Sequence, residues 1–247
     1  MNSRIRKVFI DSRYSRDGKT FELHDAGIVL NPDSRMWFSE FTCTASWDTI
    51  DDTNNKLAIT DGPTNPRRVI TIPSGAHDLQ SFREALEAAL SATGWGAYTV
   101  SLVSTGSSGS TYRSFLIENL SGFGILSDDP ESTLSTIISF PNGASTQTSH
   151  KSTFIDLRRT HSIYMAASGV GDYSTYGVRG TRNLIAKIPV NVGYASLVHF
   201  QGTASEHDSI RVGVNSISTI TLELQDVVGV PLDLKDGSWS ATLVFEN

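Results

Sequence analysis

The sequence predicts an all-β protein, a β-sandwich or jelly roll with a strand–strand–helix–strand–strand elaboration that carries one amphipathic helix. Three observations predict it. Ser, Thr and Gly are in excess while hydrophobic residues make up 38% of the 247 positions, the profile of many short strands and turns. Alternating apolar and polar segments recur along the chain, and in the last third they come roughly every 10–15 residues with turn signals between them. Only one segment has clear helical periodicity, whereas a βαβ series would need several.

Val8-Phe9-Ile10 is a short apolar run suited to a strand. Residues 36–47 are aromatic and β-branched. Phe41, Cys43, Ala45 and Trp47 fall on one parity and Thr42, Thr44 and Ser46 on the other, the alternation of a half-buried strand. Residues 51–55 form a polar turn, 56–60 a strand closed by Asp61-Gly62-Pro63, and 67–72 a further strand. The helix follows. Asp78 is placed to cap it directly, and Ser81 with Glu84 has capping-box spacing. Phe82, Leu86, Ala89 and Leu90 share one face, and Gly94 and Gly96 end the segment. Residues 98–103 and 112–118 read as strands joined by the Ser/Gly-rich run 104–110, a hairpin loop rather than a domain boundary. Ile137-Ile138-Ser139-Phe140 is a brief strand candidate inside the otherwise unpatterned stretch 121–151. Strands then fall near 160–166, 183–190, 195–200, 207–213, 217–225 and 238–245. Their spacing suggests a sandwich or jelly roll. The whole chain reads as one domain, 1–247, with an inserted or packed α+β elaboration at about 56–119.

Size and charge bound the function. A chain of this length buries enough surface to need no disulfide or metal staple, and the one cysteine, Cys43, excludes an intrachain disulfide framework. Its place on the apolar parity of a strand predicts burial. The net charge of −6 argues against a nucleic-acid binder with a basic surface all round. Residues 1–19 differ: six Lys and Arg stand against two Asp, a local balance of +4. Arg4, Arg6, Lys7, Arg13 and Arg16 are a candidate basic arm for an acidic surface or nucleic acid. Their plainer reading, which is favoured, is the solvent face of a strand. No stretch of 18 apolar residues predicts a membrane span, and no apolar run long enough for a signal peptide follows the basic start. The chain is expected to be made inside the cell and not secreted.

Enzyme signatures are missing. There is no Gly-x-Ser-x-Gly elbow and no Walker lysine, and Gly169-Val170-Gly171 lacks the third glycine and following helix of a dinucleotide site. Glu206-His207-Asp208 is the densest cluster of potential metal ligands, but adjacent strand residues point to opposite faces. The acid pairs Asp51-Asp52 and Asp128-Asp129 suit backbone capping in turns better than calcium. His161, at the start of a strand, reads as a hydrogen-bonded structural residue. No catalytic residue, metal or cofactor is expected. In the Gly-rich stretch 169–182, Tyr173, Tyr176, Arg179 and Arg182 are of the types found at interface centres. An interface loop and an ordinary connection are both open there.

Several segments carry a resemblance in shared order. They are Phe9-Ile10-Asp11-Ser12-Arg13-Tyr14; Trp47 with Asn54-Asn55-Lys56-Leu57; Ile72-Pro73-Ser74-Gly75 leading into the helix; His161-Ser162-Ile163-Tyr164; Gly177-Val178-Arg179-Gly180; the Ile-x-Lys-Ile-Pro-Val strand 185–190 with Gly193-Tyr194; and Leu232-Asp233-Leu234 with Gly237 and Trp239-Ser240. Together they resemble the penton, or minor capsid, proteins of polinton-like viruses, virophages and related eukaryotic DNA viruses of the double-jelly-roll lineage. Residues 17–35 and 123–152 match nothing in that family.

The resemblance implies a structural virion protein. It would be a single jelly roll forming a homopentamer that closes the icosahedral fivefold vertex and contacts surrounding major capsid protein trimers. Other minor capsid or spike proteins are possible neighbours, and nucleic acid would be met only through the N-terminal arm. No catalytic residues come with it. Closed rings need heterologous contacts, one patch meeting a different patch, which loops on a fixed sandwich can supply. The alternatives are another virion or surface β-sandwich protein, such as a cement protein, fibre base or glycan-binding module, and more remotely a hydrolase with carboxylates facing across a cleft.

Overall fold

The computed structural model describes residues 5–23, 27–31, 33–61, 67–105, 112–141, 146–171, 175, 177, 180, 183–202 and 209–247. The chain forms two compact units, Met1–Trp47 with Thr160–Asn247, and Asp48–Arg159. The span 56–119, expected to be an elaboration, lies inside the second unit, which extends beyond it at both ends.

In chain order the strands of the first unit begin with β1 (Ile5–Asp11), β2 (Thr20–Glu22), β3 (Ile28–Val29) and β4 (Arg35–Thr44). The second unit holds β5 (Lys56–Thr60), β6 (Arg68–Thr71), helix α1 (Leu79–Ser91), β7 (Thr99–Thr105), β8 (Tyr112–Ile125), β9 (Ile138–Ser139), β10 (Gln147–Lys151) and β11 (Phe154–Ile155). The first unit resumes with β12 (Ser162–Ser168), β13 (Leu184–Pro189), β14 (Leu197–Gln201), β15 (Ile210–Arg211), β16 (Ser216–Ile217), β17 (Thr219–Gln225) and β18 (Trp239–Glu246).

The first unit is a jelly roll. One sheet has the order β1-β18-β4-β14, with β15 also on β4; the other has the order β13-β12-β17-β2. In the first sheet strands from the beginning and end of the chain alternate, and in the second β2 from the beginning pairs with β17 near the end, the strand order of two interlocked Greek keys. All the pairings are antiparallel. On β12 and β17 every second residue is buried: Ile163, Met165 and Ala167, then Ile220, Leu222 and Leu224. They share one core with Met36, Phe38, Phe41, Cys43, Leu243 and Phe245.

Strict alternation cannot bury both Phe38 and Phe41. A bulge solves this. Glu40 pairs with Thr242 and Phe38 with Leu243, which leaves Ser39 as the extra residue on β4. The extra residue resets the parity so that both rings face the core.

The second unit places β10, β8, β5 and β6 in one sheet, with β7 on β8, and a small β11–β9 pair. β7 and β8 pair continuously from Thr99–Glu118 to Thr105–Tyr112, so the Ser/Gly-rich run is a hairpin connection. α1 buries Phe82, Leu86 and Leu90, and the Phe82 ring meets Phe115 at 5.7 Å between centroids. Of the two start signals, Asp78 is the one used: its carboxylate accepts the Ser81 N–H at 2.8 Å, and the Ser81 hydroxyl answers the Asp78 N–H at 3.0 Å. Ser81 is therefore the third helical residue, not a cap with Glu84. Glu87 ties the helix to β7 by accepting the Val100 N–H at 2.9 Å.

Candidate interaction surface

The chain opening is organised by its own acid and hydroxyl. Asp11 accepts the Arg13 backbone N–H at 3.0 Å, which caps a single turn of 3-10 helix, Ser12–Tyr14. Its carboxylate also holds the Arg13 guanidinium through Nε at 3.0 Å and Nη2 at 2.5 Å. That guanidinium keeps the Asp11 carboxyl below the ordinary carboxylate range. Ser12 Oγ accepts the Trp239 N–H at 2.9 Å, stitching the turn to the last strand. The Asp-Ser-Arg run thus has a local structural job at each position.

The basic arm is only partly free. Among the expected members, Arg13 is neutralised by Asp11 and Arg4 lies outside the described residues. Lys7 is exposed and Arg6 half-buried on β1. Nearby, Lys19 pairs with Glu223 at 2.5 Å and holds that carboxyl below its ordinary value.

The expected interface residues Tyr173, Tyr176, Arg179 and Arg182, and the cluster Glu206-His207-Asp208, also lie outside the described residues. The start of the Gly-rich stretch is described. A Cβ on Gly171, whose φ is +116°, would come 2.7 Å from the Gly213 nitrogen, and one on Gly169 2.6 Å from the Thr219 carbonyl oxygen. Glycine is needed there because two backbones meet.

Among the described residues no three His, Cys, Asp or Glu side chains come together as a metal site, and no helix is long and apolar enough to cross a membrane. One acid of each pair serves its own turn: Asp51 accepts the Thr53 N–H and pairs with Arg159, and Asp129 accepts the Glu131 N–H and pairs with Arg67. Cys43 is buried, and burial pushes its thiol up to about 12. A cleft of about 430 Å³ beside Ser12, Asp17 and Lys19 mixes charges of both signs along residues 231–239. Its Asp17 is committed: the Thr20 and Lys19 N–H groups hold its carboxyl far below the ordinary range.

What the surface offers instead is exposed apolar side chains. Phe9 is 77% and Tyr14 87% exposed beside β1, Leu197 is 62% exposed on β14, and Leu120 is 98% exposed on β8. Sequence reasoning passed over these residues. Phe9 sat within an apolar run, and only the pairing of β1 shows that it faces outward while Val8 and Ile10 face the core. Leu120 lies where β8 leaves register with β10 between Glu118 and Phe123, an irregularity with no signal in residue type.

No protein-family model matches the chain, and no curated protein matches its sequence. A solved structure does match its fold. The crystal structure of SeMet-labeled mavirus penton protein superposes with a TM-score of 0.60, at 11% sequence identity, over 99% of this chain and 98% of that one.

Proposed function

We propose that the chain is a structural virion protein, a penton subunit that assembles as a homopentamer, closes the icosahedral fivefold vertex and contacts the surrounding major capsid protein. The observation that carries this reading is the extent of the likeness to a penton protein. It covers nearly all of both chains, the jelly roll and the 48–159 unit together. A shared jelly roll alone would say little, because that fold hosts many functions. Phe9, Tyr14 and Leu197 on the sandwich and Leu120 on β8 offer unlike exposed apolar patches for the heterologous contacts of a ring. No turnover is part of the role.

Cryo-electron microscopy of virus particles that contain the chain, decorated with a Fab raised against it, tests the placement. Fab density confined to the fivefold vertices is the expected result. Density spread over the facets would assign the chain to a cement role instead.

A further inference from the structure

The chain passes between its two compact units twice, after Trp47 and after Arg159. Every sheet among the described residues is built from one unit alone: β5 to β11 pair only with each other, and so do the strands of the jelly roll. The cores divide at the same two places. One cluster of buried side chains runs from Ile50 to Phe140. The other draws only on residues up to Trp47 and from Ile163 onward.

The Asp48–Arg159 unit also fastens its own ends. Ile50, two residues from its start, is fully buried in that core, and its N–H and C=O bond Gly75 at 3.0 and 2.8 Å. At the other end the Asp156 N–H donates to the Ile137 carbonyl at 2.8 Å, and Leu157 packs against the same core. The Asp51 carboxylate meets the Arg159 guanidinium, so one ion pair joins the segment that enters the unit to the segment that leaves it. A span of about 110 residues with its own core and its ends drawn together has what an inserted domain needs to fold alone.

We infer that Asp48–Arg159 is a separate cooperative block, able to open and re-form while the jelly roll stays folded, with the Asp51–Arg159 pair as the clasp at its neck. Proteins open in contiguous cooperative units, and the amides of one unit then exchange through a shared opening. Losing the clasp frees both ends of the block, so it loosens the block and leaves β12 and β17 as they are. The inference concerns this unit by itself and does not depend on the capsid reading.

Hydrogen exchange of the full chain in a series of low urea concentrations reads both units at once. Buried amides of the block, such as those of Val100 and Ile117, are expected to share one opening free energy, and those of β12 and β17 another. Ile117→Val should speed exchange across the block roughly fivefold and leave β12 and β17 unchanged, and Ile163→Val should do the reverse. Asp51→Asn and Arg159→Gln should each speed the block's exchange about two- to threefold, as for a partly exposed ion pair, and the double variant no further than either alone. A single opening shared by all these amides, or an Ile117→Val effect that reaches β12 and β17 equally, overturns the inference. Neck variants that leave the block's exchange unchanged, or that act additively, overturn the clasp.

Discussion

Gly202 lies directly against the backbone of Phe38: a Cβ on Gly202 would stand 2.3 Å from the Phe38 carbonyl oxygen. Its N–H donates to the Ser39 carbonyl at 2.8 Å. Ser39 is the extra residue of the β4 bulge, so Gly202 closes onto the feature that brings both Phe38 and Phe41 into the core. Gly202→Ala is expected to cost about 1–3 kcal/mol, because backbone must move to admit the methyl group. The urea midpoint measures it. Gly193 has open space around its Cβ position, and Gly193→Ala is expected to stay within about 0.5 kcal/mol. Equal effects at the two sites would show that the close approach relaxes freely.

The helix start should show a charge signature. The Ser81 N–H, followed by its hydroxyl, holds the Asp78 carboxyl below its ordinary value of 3.8. Asp78→Ala is expected to destabilise the protein by about 0.5–2 kcal/mol near neutral pH, the usual worth of such a cap. A folded-state pKa below the unfolded one gives stability that is complete above the ordinary value and lost as pH falls through the lowered one. The stability curves of the parent and of Asp78→Ala should therefore converge in acid. A gap unchanged down to about pH 2 would mean that the neutral carboxyl caps as well as the charged one.

Cys43 should behave as a core residue. Its thiol is buried and pushed up to about 12, so thiolate is scarce at pH 8. A thiol-reactive dye should label the native chain slowly and the urea-unfolded chain at the rate of a free thiol. Fast labelling of the native chain would show that the β4–β14 side of the core opens readily.

Local pattern foretold much of this architecture, and its failures have physical causes. β12 and β17 announce themselves because one face is buried and the other is not. α1 is legible from Phe82, Leu86 and Leu90 and from Asp78. β10 reads Gln-Thr-Ser-His-Lys and buries almost nothing; backbone pairing with β8 makes it a strand, and composition cannot show that. β2 and β3 are three and two residues long, too short for any period to register. The extension of β8 past residue 118 was hidden by Gly122, which adopts φ +78° where the strand leaves register with β10. The surface was harder still. Phe9 and Glu22 come to line one groove only when β1 and β2 are placed, and no spacing in the sequence encodes that.

The central claim is that this chain is a vertex subunit, and its native mass tests it most directly. Light scattering or native mass spectrometry of the purified 26.8 kDa chain, at two salt concentrations, should find a species of five times that mass. A trimer at both salts would contradict the account, because three copies cannot close a fivefold vertex.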